Sequence, residues 1–121
     1  MLIYIYIQEI DKKGETIYLF NDDYIKRKDI YAYSLLTELI NIKDGLWKDK
    51  ELVEIDGCWG ELKVTKEDIL YFIDEVNARY TLDRGDRIKK SERKSINNSP
   101  ETQKVMELDD DKSYWLIGIE S

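Results

Sequence analysis

The run "ELVEIDGCWGELKV", residues 51–64, limits the possible folds more than any other stretch of this chain. Asp56-Gly57 is a preferred two-residue turn, and strand-like residues flank it on both sides. With Ile55 opposite Cys58 across that turn, Val53, Ile55, Cys58, Gly60, Leu62 and Val64 share a core face. Leu52, Glu54, Trp59 and Glu61 then share the other, mixed face, with Cys58 a small buried hydrophobe and Trp59 the more exposed aromatic. A helix follows at once over 66–80. Its residues Ile69, Phe72, Ile73, Val76 and Tyr80 recur at helical spacing, opposite Glu67, Asp74 and Glu75. Thr65 is placed to cap that helix, and Glu67 and Asp68 suit the positive end of its dipole.

The same logic organises the rest. "LIYIYIQEI" (2–10) and "ETIYLF" (15–20), separated by "DKKG", read as a second hairpin. Ile3, Ile5 and Ile7 lie on one side of its first strand and Tyr4 and Tyr6 on the other, so that strand belongs near the middle of a sheet or carries tyrosines over a groove. Asp29 is a candidate cap for a helix over 30–42 that is apolar around most of its circumference and is expected to be heavily buried. Near the end, a strand spans 113–120 after a turn at Asp109–Lys112. Residues 100–108 fit either the first strand of that hairpin or a short helix with Ser99 as cap and Pro100 at its first position. The order is β-β-α-β-β-α-long loop-(β)-β. It predicts an α+β fold: an antiparallel or mixed sheet of about five to six strands with two helices packed on one side.

With 121 residues the chain is expected to form a single domain, 1–121. Its first residues lack the cationic region and cleavage site of a secretory leader, no apolar run reaches the length of a membrane span, and Cys58 is the only cysteine. These features predict a cytoplasmic protein with no membrane association. The net charge of −7 disfavours general affinity for DNA or anionic lipid.

Much chemistry is excluded. The chain has no histidine, which removes Ser-His-Asp and Cys-His catalysis and, with one cysteine, the conventional zinc sites. Neither a phosphate-binding loop nor a dinucleotide fingerprint occurs. Asp22-Asp23 and Asp109-Asp110-Asp111 are acidic enough for magnesium, yet both fall at turns, where aspartate serves local hydrogen bonding. No cofactor, metal or catalytic activity is expected.

A binding function remains. Exposed tyrosine and tryptophan beside carboxylates is an interface composition suited to a basic partner. The expected contacts are Trp59, Glu54, Glu61, Asp22, Asp23, Tyr24, Asp109, Asp110 and Asp111. On this reading the chain is an inhibitor or immunity-type protein, as in phage or bacterial defence, that docks on a nuclease or another nucleic-acid-handling enzyme. The alternative lies in the tract 83–104. Residues 81–104 hold seven cations and four acids, whereas 1–80 hold 11 and 17 and 105–121 hold one and five. Arg84, Arg87, Lys89, Lys90, Arg93 and Lys94 could close over the phosphates of a nucleotide-type ligand. The tract could also fold against the acidic body of the same chain, or of a second copy in a homodimer.

Overall fold

In a computed structural model, the structure describes residues 3–10, 16–20, 28–40, 45–54, 60–82 and 99–120. Among the described residues five strands form one antiparallel sheet in the order β2-β1-β5-β4-β3. They are β1 (Ile3–Glu9), β2 (Ile17–Tyr18), β3 (Leu52–Glu54), β4 (Gly60–Thr65) and β5 (Ser113–Glu120). Three helices among the described residues, α1 (Lys28–Leu39), α2 (Lys66–Leu82) and α3 (Pro100–Val105), complete the α+β architecture. α1 packs on β1 and α2, while α2 packs on β4, β5 and α3. No helix among the described residues is long and apolar enough to cross a membrane.

β5 takes the centre because nothing between its terminal Ser113 and Glu120 asks for water on either face. Tyr114, Trp115, Leu116, Ile117 and Gly118 are all buried. β1 sits beside it in register, Ile7 opposite Leu116 and Tyr6 opposite Ile117. The odd residues of β1 (Ile3, Ile5, Ile7) join Tyr114, Leu116, Leu62 and Val64 in the core under the helices. The even ones, Tyr4 and Tyr6, turn to the other face. The tyrosine face and the isoleucine face of β1 therefore divide as the alternation predicts.

Phe72 sits at the centre of the helical layer. Its ring is fully buried, 6.0 Å from that of Phe20 and 6.1 Å from that of Trp47. Aromatic pairs at these separations add to the hydrophobic gain of burial. The Trp47 backbone is held as well, its N–H donating to the Leu39 carbonyl at 2.8 Å. That bond ties the segment after α1 to the helix end.

Five expectations change. The β3–β4 ladder pairs Glu54 with Gly60 and Leu52 with Leu62, one residue out of the register of a two-residue Asp56-Gly57 turn. Because strand side chains alternate, that slip exchanges the faces of β3. Leu52, not Val53, shares the face of Leu62, and Val53 is 43% exposed. Residues 55–59, with Ile55, Cys58 and Trp59, lie outside the described residues.

α1 begins at Lys28, so Asp29 lies within its first turn and does not cap it. Its burial is a stripe, Ala32, Leu35, Leu36 and Leu39, while Ile30 is 46% exposed. A helix lying on a single layer covers one side only, whatever its composition.

Residues 100–105 are helical, which decides between the two readings of that segment and makes a third helix where two were expected. The Ser99 hydroxyl accepts from the Thr102 N–H at 3.1 Å, and Pro100, which has no N–H to leave unsatisfied, opens the helix. Glu75, expected on the wet face of α2, is fully buried.

Candidate interaction surface

One end of the sheet gathers the carboxylates. Glu9 closes β1 and pairs across with Tyr114, near the start of β5. Val64, at the end of β4, also pairs with Tyr114, and Thr65 pairs with Ser113 before the chain enters α2. Glu67 follows in the first turn of that helix. The turn 109–112 is fastened at the same place. The Tyr114 hydroxyl accepts from the Asp109 N–H at 2.8 Å and lies 3.3 Å from the Asp109 carbonyl. Glu9, Glu67, Glu107, Asp109, Asp110 and Asp111 are all exposed. Sheet topology, not sequence proximity, brings Glu9 and Glu67 to the Asp109–Asp111 turn.

Two cations here, Lys66 and Lys50, are engaged, and a third, Lys112, lies exposed in the turn itself. The Lys66 ammonium stands 3.4 Å from the Asp110 carboxylate and donates to the Met106 carbonyl at 2.8 Å. Lys50 stands 2.7 Å from Asp68 and lies over the Trp47 ring. Asp68 and Thr65 form a reciprocal cap at the start of α2. The Thr65 N–H donates to Asp68 Oδ2 at 2.9 Å, and the Asp68 N–H to the Thr65 hydroxyl at 3.3 Å. Partial burial alone would raise the Asp68 carboxyl. The Lys50 ammonium and the Thr65 N–H outweigh it and hold the group below the usual carboxylate range.

The aspartate run is built as a turn. Asp109 Oδ1 accepts from the Asp111 N–H at 2.9 Å, an Asx-type bond, and Asp110 points to Lys66. Among the described residues no group of three or more acidic, cysteine or histidine side chains is placed to hold a metal ion.

Glu61 stands apart from this end. It lies on β4, on the helix-free face, opposite Ile117 and Val53 and only 9% exposed. Three residues of strand, a rise of roughly 13 Å, separate it from Thr65. It does not join Asp109, Asp110 and Asp111 in one site. Glu54 lies in β3, with its side chain outside the description, and Asp22, Asp23, Tyr24 and Trp59 lie outside the described residues. The same is true of the nucleotide candidates Arg84, Arg87, Lys89, Lys90, Arg93 and Lys94. The helix-free face also carries Tyr4 and Tyr18, 36% and 42% exposed, with the Tyr6 and Tyr18 rings 5.4 Å apart.

Sequence reasoning missed Glu9, Glu67 and Glu107 as members of the acidic end. The register of β1 against β5 is what places Glu9 there, and a single sequence does not display register. Comparison with protein-family models, with curated proteins and with solved structures yields no match.

Proposed function

We propose that this chain is a non-enzymatic acidic binding protein, of the inhibitor or immunity type, that docks on a basic protein such as a nuclease or another nucleic-acid-handling enzyme. The observation that supports this most is the concentration of Glu9, Glu67, Glu107 and Asp109–Asp111 at one end of the sheet, where Lys66 is already paired. Exposed carboxylates held on a fastened turn keep their charge in place without reorganisation on binding. Such a surface raises the rate of encounter with a cationic partner and makes that rate fall with salt.

The test is capture of partners on immobilised protein, compared with an Asp109→Lys/Asp110→Lys/Asp111→Lys variant. The expected result is one strongly basic protein, identified by mass, whose association slows steeply with salt and which the variant fails to retain. A partner that is neutral or acidic, or retention that the variant leaves unchanged, would count against the proposal.

A further inference from the structure

The two edges of the sheet are finished differently. At the β2 edge, the Leu19 N–H donates to the Ile5 carbonyl at 2.8 Å, so the adjacent Tyr18–Tyr6 pair is non-hydrogen-bonded and Tyr18 turns its backbone groups outward. There the Lys104 ammonium takes the Tyr18 carbonyl at 2.8 Å. A lysine laid on an edge strand is a common way of closing it.

At the other edge, the Lys63 N–H donates to the Glu51 carbonyl at 3.0 Å, and these two residues stand opposite one another. Hydrogen-bonded and non-hydrogen-bonded pairs alternate along an antiparallel ladder. Val53 therefore bonds to Glu61, while Leu52 and Glu54 direct their N–H and C=O groups away from β4. Among the described residues no strand lies beyond β3. Two of its three residues are apolar and lie on opposite faces, Leu52 39% and Val53 43% exposed, and the third is Glu54. Glu51, beside them, has Lys63 3.8 Å away to offset its charge.

We propose that β3 is a homodimer edge, pairing antiparallel with β3 of a second copy about a two-fold axis at Val53. The spacing is self-complementary. Leu52 of each copy meets Glu54 of the other, and the outward groups exchange about four hydrogen bonds. The two Val53 side chains come side by side as a non-hydrogen-bonded pair, and each Leu52 gains cover on the helical face. Glu51 does not meet its own copy and has Lys63 3.8 Å away, and each Glu54 stands opposite Leu52 of the other copy, not opposite Glu54. The contact is isologous and closes, giving one sheet continuous across two molecules. The small edge makes it a weak, concentration-dependent dimer. It does not involve the acidic end and does not depend on that end having a partner.

Two measurements on the full chain test it. Sedimentation over a roughly hundredfold concentration range is expected to show the mass rising toward that of a dimer. Over the same range, exchange of the Leu52 and Glu54 amide protons is expected to slow severalfold, with that of Val53 unchanged. Glu54→Pro removes an outward N–H that the β3–β4 ladder does not use, and Leu52→Lys charges the edge. Both variants are expected to stay monomeric with an unaltered circular dichroism spectrum. A monomer at every concentration, concentration-independent exchange at Leu52 and Glu54, or a dimer that survives both substitutions would overturn the proposal. Slowed exchange only on adding a different protein would overturn the second copy as occupant. If Glu54→Pro fails to fold, the exchange measurement on the unaltered chain decides.

Discussion

Arg79 lies one helical turn after Glu75 in α2, its Nε 3.4 Å from Glu75 Oε1, with the two side chains 1% and 0% exposed. The same guanidinium reaches α1, where Nη2 stands 3.0 Å from Glu38 Oε2. A charge sealed this far from water is tolerable only with its partners in place, so the two helices are held in one relative register. Arg79→Met takes the guanidinium away from the fully buried Glu75 carboxylate. It is expected to cost roughly 3–5 kcal/mol, read by urea unfolding. The double variant Arg79→Met/Glu75→Leu removes both charges and is expected to recover most of that loss. A single variant as stable as the parent would show the pair to be dispensable.

Asp68 makes stability depend on acid. Its carboxyl titrates below the ordinary range in the folded chain and at about 4 when unfolded. The unfolded chain therefore takes up the proton first as the pH falls. The stabilisation is complete above about pH 4 and is lost as the pH drops through the folded value. Asp68→Asn is expected to be less stable at neutral pH and to show a shallower decline in melting temperature below that point. An unchanged acid slope would exclude the Asp68 linkage.

The cap of α3 is separately testable. Ser99→Ala removes the acceptor for the Thr102 N–H and is expected to cost about 1 kcal/mol. Amide exchange should speed up first in residues 100–105, because a helix of six residues has little else to hold its first turn.

Tyr114 links the core to the acidic turn. Its ring is buried and its hydroxyl receives the Asp109 N–H. Tyr114→Phe keeps the ring and is expected to cost about 1 kcal/mol, through the lost hydrogen bond. The amide signals of Asp109–Asp111 should broaden or shift while those of β1 stay in place. Weaker capture of a basic partner by this variant, with the sheet intact, would tie the fastening of the turn to binding.

Local pattern was enough for much of this molecule. The isoleucine–tyrosine alternation of β1 assigned its two faces, the stripe from Ile69 to Val76 located α2, and "SYWLIGIE" marked β5, because periodicity and burial are properties of a short window. Thr65 was legible as a cap for the same reason. Three matters were decided only by tertiary structure. Two-residue and longer turns both fit "IDGCWG", and the ladder beyond it chose the register that moved Leu52 to the core side and Val53 away. Glu75 reads as a solvent residue until Arg79 and Glu38 are brought together by the packing of α1 on α2, since the cost of burying a charge depends on partners that no window contains. The acidic end is likewise a product of strand pairing. The sequence by itself determined which residues carry charge. Only the antiparallel pairing of β1 and β4 with β5 determined that Glu9, Glu67 and the Asp109–Asp111 turn share one end of the sheet, because contact between distant segments is fixed by backbone hydrogen-bond register.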